Sequence, residues 1–195
     1  WSVKWACAKV NIPYIATFHG HYSMKPEIFK KNYNRVMTQG AKVIAVSSFI
    51  KNHLMKDYGI KDPDICLIPR GADINKFNLE KVSVAEKEAF IQEHQIDTSK
   101  PVITLVGRLS RIKGHSVLLD ALKQMKHHNL TVLFVGGNPK GDYEKELSQK
   151  INDLPKGIDV KVFAVPGDKM PVVYAVTDIY VQPTLVPESF GRSIA

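Results

Sequence analysis

The sequence predicts an α/β protein built from parallel sheets in two domains. Three observations carry that reading. Short apolar runs alternate with segments whose apolar residues recur at helical spacing. A polar, charged stretch over residues 76–100 separates two such alternations. Glycines and polar residues follow the ends of the apolar runs, where open parallel sheets collect their ligands.

The elements follow in order. Trp1 and Trp5 lie on an incipient helix and read as core. Tyr14–Phe18 reads as a short buried strand after Pro13, stopped by His19-Gly20. Pro26–Gln39 reads as a helix closed by Gly40, and Lys42–Val46 as a β-rich strand. Ser47 or Ser48 caps the next helix, with Phe49, Ile50, Leu54 and Tyr58 at helical spacing and Gly59 as its stop. Ile65–Ile68 is a third strand, ended by Pro69-Arg70-Gly71. Within the polar stretch a helix is predicted near Val84–His94.

The second alternation is more regular. Val102–Val106 is a continuous apolar strand, followed by Val117, Leu118, Ala121, Leu122 and Met125 on a helix. Thr131–Val135 is a strand ending in Gly136-Gly137-Asn138. Tyr143, Leu147 and Ile151 mark a helix face, Val160–Val165 contains a strand, and Met170–Val176 is a short helix. Ile179–Gln182 is the last strand, and Ser189 onward reads as a helix. Helices are expected on both faces of both sheets.

Composition narrows the function classes. The 195 residues are 44% hydrophobic and 24% charged, which excludes disorder, collagen and a disulfide scaffold. No apolar run approaches the ~18 residues of a membrane-spanning helix. Residues 1–75 hold 11 basic and 5 acidic side chains, whereas the rest of the chain is nearly balanced. That excess could face a phosphate-bearing partner, but a solvated surface is the plainer reading. No interleaving of Arg with aromatics marks a nucleic-acid stacking platform, so no nucleic-acid partner is expected. Cys7 and Cys66 are far apart in apolar surroundings and read as buried, reduced thiols of a cytoplasmic protein.

The segment from Gly107 to Gly114 is the most informative. Arg108 and Lys113 can close on one anion, Arg as a planar fork and Lys as a point charge. A helix starting near Gly114 adds amide donors and the positive end of its dipole. The set suits a diphosphate, although loop decoration explains the same residues. The order of a Walker loop is absent, as is Gly-x-Gly-x-x-Gly. Glu188 could bind sugar hydroxyls, cap a following helix or ligate a metal. His19 and His21 could act as bases or substrate contacts, or be merely solvated; their spacing alone is poor for a metal. His127-His128 reads as surface. No Ser-His-Asp set, nucleophile elbow or Asp-x-Asp metal motif is visible.

Taken together, the chain resembles the family-4 retaining glycosyltransferases of the GT-B fold. The matching segments are His19-Gly20, Val46-Ser47-Ser48, Leu67 to Asp73 with Phe77, Gly107-Arg108-Leu109 with Lys113-Gly114, and Pro187-Glu188-Ser189-Phe190-Gly191. They occur in the family's order. The resemblance implies an α/β fold of two facing Rossmann-like domains, both incomplete here. Residues 1–75 would be the C-terminal portion of the acceptor-side domain, 76–100 the connection, and 101–195 the N-terminal portion of the nucleotide-sugar domain.

The resemblance further implies transfer of a sugar from a nucleotide-sugar donor to a glycan or lipid-linked acceptor of the cell envelope, with retention at the anomeric carbon. Arg108 and Lys113 match the pair that neutralises the donor diphosphate. Glu188 matches the first Glu of a paired-Glu motif that contacts the donor sugar. Ser189, Phe190 and Gly191 match positions beside sugar and phosphate, and His19 a histidine near the reacting centre. No cofactor or metal is expected, the nucleotide sugar being a co-substrate. A cytoplasmic location is expected, with room for peripheral contact with anionic membrane at the inner face. A front-face displacement is the favoured mechanism. Alternatives are an inactive truncated or degenerate nucleotide-binding module, or a GT-B epimerase or phosphorylase.

Some features depart from the family. The second Glu would fall at residue 196, further strands are expected before Trp1 and after Ala195, and Arg70 stands where Asn is commoner. The chain alone is therefore expected to be poorly stable and inactive.

Overall fold

In the computed structural model, residues 1–20, 27–137 and 141–194 are described. They form two compact units: Trp1–Gly71 with Pro187–Ser193, and Ala72–Val186. The expected readings of His21, Asn138 and the start of the Pro26–Gln39 helix lie outside the described residues.

The first unit contains α1 (Ser2–Lys9), β1 (Ile15–Phe18), α2 (Glu27–Arg35), β2 (Lys42–Ala45), α3 (Ser48–Tyr58) and β3 (Ile65–Leu67). The strands form a parallel sheet in the order β1-β2-β3. Register aligns Ala16 with Val43 and Ile65, and Phe18 with Ala45 and Leu67, so these residues share a face. Phe18, Val43, Ala45 and Ile65 from that face pack with Ile50, Leu54 and Tyr58 of α3. Ser47 caps α3 by accepting from the Ile50 amide at 3.2 Å, and Gly59 ends it in the left-handed conformation. The predicted helix through Gln39 instead tightens after Arg35 into a 3-10 turn over Val36–Thr38.

The opposite face of this sheet carries Ile15 and Cys66, both exposed, and Thr17 and Ile44, both half-buried. Two expectations are therefore corrected. Among the described residues the first unit has one buried cluster, on one face. Cys66 is exposed on an edge strand and Cys7 is half-buried, so neither is a core thiol. Trp1 and Trp5 do flank and occupy a helix, but they are 61% and 63% exposed. Lys9 lies over the Trp5 ring at 3.9 Å, an exposed cation–π contact that replaces the predicted core packing.

The second unit contains α4 (Val84–Glu93), β4 (Val102–Val106), α5 (His115–Gln124), β5 (Leu130–Val135), α6 (Asp142–Asn152), β6 (Ile158–Phe163), α7 (Met170–Ala175) and β7 (Ile179–Tyr180). Its parallel sheet has the order β6-β5-β4-β7. Alternate residues of each strand serve opposite faces. Ile103, Leu105, Val132 and Phe134 pack with Leu118, Leu119 and Leu122 of α5 and Tyr143 and Leu147 of α6. Val102, Leu133 and Val135 pack on the other side with Phe90 of α4 and Val172 and Val173 of α7. Of the residues predicted for this helix face, Val117, Ala121 and Met125 are exposed, and Leu119 takes a buried place.

The polar stretch between the alternations contains an ordered helix. Ser83 and Glu86 form a reciprocal capping box at the start of α4. Hydrogen bonds from the Ser83 backbone and hydroxyl hold the Glu86 carboxyl below its ordinary range. Two buried threonines are also satisfied. The Thr104 hydroxyl meets that of Thr177 at 2.7 Å, and Thr177 donates to the Val173 carbonyl. Thr131 donates to the Asp97 carbonyl at 2.8 Å.

Candidate functional site

The chain order of the second sheet defines where a ligand can enter. From β4 the chain steps outward through β5 and β6, then returns to place β7 on the other side of β4. The reversal between β4 and β7 is a topological switch point, the crevice that doubly wound sheets use for ligands. Gly107-Arg108 follows β4 at that crevice.

The loop that follows β4 is stitched to the segment after β7. Arg111–Lys113 forms a single 3-10 turn, and Leu185 N–H donates to the Ile112 carbonyl at 2.9 Å. Gly114, at φ 76°, starts α5 with its backbone against Pro183; a Cβ there would lie 1.9 Å from the Pro183 carbonyl oxygen. At the end of β5, a Cβ on Gly136 would lie 2.0 Å from the Gly107 carbonyl oxygen. The backbone at the carboxyl ends of β4 and β5 is thus packed at a distance only glycine permits.

This frame sorts the three cations of the loop. Arg111 pairs with Glu146 of α6 and lies over the Tyr143 ring at 5.0 Å, so it is committed to the helix layer. Arg108 is exposed, and its side chain has no ion pair or hydrogen bond among the described residues. The Lys113 stem folds back over Gly107, its carbons 3.5–3.6 Å from where a Cβ would stand. Arg108 and Lys113 are therefore both at the carboxyl end of β4, beside the start of α5. A guanidinium, an ammonium and a helix start grouped at one strand end are the kinds of group that bind an anion of more than one charge.

His115, the first residue of α5, is fully buried and meets the Phe134 ring edge-on at 4.9 Å. Burial pushes its pKa down to about 4; the Ser110 backbone offsets part of this, and the nearby Lys113 charge adds to it. Sequence reading passed over this histidine, whose signal was its place directly after Gly114.

In the first unit the strand ends carry His19, Ser47 and Arg70. His19 is exposed and its Nδ1 lies 2.6 Å from Arg70 Nη2. The segment Pro187–Ser193 belongs to this unit. The Ser47 hydroxyl donates to the Ser189 carbonyl, and the Ser189 side chain lies against Gly20. Glu188, Ser189 and Phe190 are half-buried. Ser189 and Phe190 form a bend, Gly191 is at φ 80°, and residues 192–194 form a turn, so the described residues from Ser189 show no helix. Glu188 consequently caps no helix among the described residues. Also among the described residues, no three His, Cys, Asp or Glu side chains gather as a metal site.

A doubly wound sheet with a glycine-bearing, cationic loop at its switch point is the architecture of a nucleotide-binding type of unit. Comparison with known families makes this specific. The pattern described as Glycosyl transferases group 1 matches residues 86–195, and that described as Glycosyltransferase Family 4 matches residues 1–76. The chain belongs to the group 1 glycosyl transferases, and its solved relatives have the GT-B fold.

Among solved structures, a glycosyltransferase from Rickettsia africae is 32% identical with a TM-score of 0.85, covering all of this chain and 51% of that one. HepE of Anabaena in complex with UDP is 28% identical with a TM-score of 0.78, over 97% of this chain and 52% of that one. Among curated relatives, the GDP-mannose-dependent alpha-(1-6)-phosphatidylinositol monomannoside mannosyltransferase of Mycolicibacterium smegmatis is 25% identical over 178 residues, 87% of this chain and 44% of that protein. Mannosylfructose-phosphate synthase of Agrobacterium fabrum is 29% identical over 147 residues, 71% of this chain and 32% of that protein. The chain thus spans a third to a half of the length of these curated relatives.

Proposed function

We propose that the protein is a retaining glycosyltransferase that moves a sugar from a nucleotide-sugar donor to a glycan or lipid-linked acceptor of the cell envelope. The observation that carries this reading is the Arg108–Lys113 pair at the β4/β7 switch point, with Arg111 turned away to Glu146. HepE of Anabaena, solved with UDP and with UDP-glucose, supports a nucleotide-sugar donor.

In this reading Arg108 and Lys113 bind the donor diphosphate. Their positive charge matters most as the bond to the sugar breaks and charge grows on the leaving phosphate. Glu188 receives donor-sugar hydroxyls, and Ser189, Phe190 and Gly191 line the sugar and phosphate. His19 stands near the reacting carbon. The leaving phosphate takes the acceptor hydroxyl's proton in a front-face displacement, which leaves the anomeric configuration retained. The two cations supply the charge balance, so the reading invokes no metal or other cofactor.

The basic excess of residues 1–75 and the exposed Trp1 and Trp5 support peripheral contact with anionic membrane at its cytoplasmic face. No helix of the described residues is long and apolar enough to cross a membrane.

The test is a panel of nucleotide sugars offered to the full-length protein with glycan and lipid-linked acceptors, the product's anomeric configuration read by NMR. Transfer with retention is expected, and the 195-residue chain alone is expected to give none. Inversion would overturn the mechanism. Donor binding with no turnover would mark a nucleotide-binding module instead, and conversion of the donor without acceptor an epimerase.

A further inference from the structure

The contact between Arg70 and His19 fixes more than position. The guanidinium carries only donors and keeps its charge in proteins, so it cannot accept a hydrogen bond from imidazole. His19 Nδ1, 2.6 Å from Arg70 Nη2, must therefore be the acceptor. A ring with its proton on Nδ1, or on both nitrogens, has no lone pair there to offer. The tautomer follows from the partner: the proton sits on Nε2.

The sheet explains why an arginine makes this contact. His19 follows β1 and Arg70 follows β3, and these strands lie on either side of β2. Two strand spacings separate them, about 10 Å. The parallel ladder extends one residue past β3, with Ile68 N–H on the Ala45 carbonyl at 3.0 Å, which holds Pro69-Arg70 in line with the strand ends. A long side chain bridges that gap.

We propose that Arg70 is a positioning residue that holds the His19 imidazole in its Nε2–H tautomer, so that His19 meets substrate as a hydrogen-bond donor and not as a base. The kinetic part of this inference rests on the glycosyl-transfer reading of His19; the tautomer does not. A donor at this position fits a displacement in which the leaving phosphate, rather than the protein, takes the acceptor's proton. It also predicts that no side-chain base is lost when the ring is replaced by another neutral donor.

The experiment is long-range 1H–15N correlation NMR of the histidine rings in the full chain, with the His19 signals assigned by their absence in His19→Gln. The wild type is expected to show the Nε2–H pattern alone. Arg70→Met keeps the stem without the donors and is expected to lose that single pattern; Arg70→Lys, which restores a donor, is expected to recover it. An Nδ1–H pattern in the wild type, or an unchanged pattern in Arg70→Met, would overturn the proposal, and the first needs no variant to fold. In the full-length enzyme, Arg70→Met is expected to lower kcat about tenfold with the donor KM unchanged, and Arg70→Lys to restore most of it. The lock with no transferase activity in any variant would leave the tautomer standing and remove the functional reading. Equal kcat in wild type and Arg70→Met would overturn the positioning role.

Discussion

The two units build the same kind of sheet and bury it differently. In the second, helices α5 and α6 cover one face and α4 and α7 the other, so strand β5 is buried along its whole length. In the first, one described cluster against α3 covers a single face, and Ile15 at the start of β1 is 64% exposed. The difference teaches where geometry is held most firmly. The Gly107–Gly114 loop is mounted on the doubly covered sheet, whose core residues fix the ends of β4 and β5. The first unit's candidate site residues are held by local polar ties: Ser47 to Ser189, and Arg70 to His19.

Truncations probe that contrast most strongly. Phe134→Ala removes a fully buried ring from the second core and is expected to cost ~3–5 kcal/mol of that unit's stability. Ile15→Ala on the first sheet is expected to stay within about 0.5 kcal/mol. Denaturant unfolding of both variants checks this, and equal losses would break the comparison.

Acid should also weaken the second unit. His115 has a folded pKa near 4, below its unfolded value of 6.5, so the unfolded chain takes up the extra proton between these limits. Stability from this group is complete above pH 6.5 and is lost as pH falls toward 4, by ~3 kcal/mol. Unfolding followed across that window should show the slope in wild type and a flatter line in His115→Gln. A smaller effect is expected at the capping box. Ser83→Ala should cost about 1 kcal/mol, read as a lowered unfolding midpoint of the second unit, with little change in the first.

Much of the architecture was legible because it is periodic. The apolar runs of β4 and β5, the Tyr143-Leu147-Ile151 face of α6, the Ser47 cap and the Gly59 stop all act locally, and local chemistry is what a sequence displays. The place of the Gly107–Gly114 loop was legible for the same reason, as a glycine and three cations between an apolar strand and a helix. Errors arose where burial depends on distant chain. Trp1 and Trp5 are apolar at helical positions, yet α1 buries no residue. Cys66 lies within an apolar run, but on an edge strand's exposed face. The capping role for Glu188 presumed a helix that the described residues after it do not form. The pairing of His19 with Arg70 spans 51 residues and two strand spacings, so only the sheet order reveals it. The sequence singled out Arg108 and Lys113, but that Arg111 is held by the Glu146 carboxylate on α6 appears only in the fold.

That distinction supplies the most direct test of the account. Calorimetric titration of UDP and GDP into the wild-type protein, Arg108→Ala/Lys113→Ala and Arg111→Ala measures which cations hold the diphosphate. Loss of two charge-assisted contacts is expected to weaken binding by ~3 kcal/mol or more, about a hundredfold in Kd. Arg111→Ala should bind within about threefold of wild type, because its guanidinium serves α6. Unchanged affinity in the double variant, or a loss confined to Arg111→Ala, would contradict the site placed at the β4/β7 switch point.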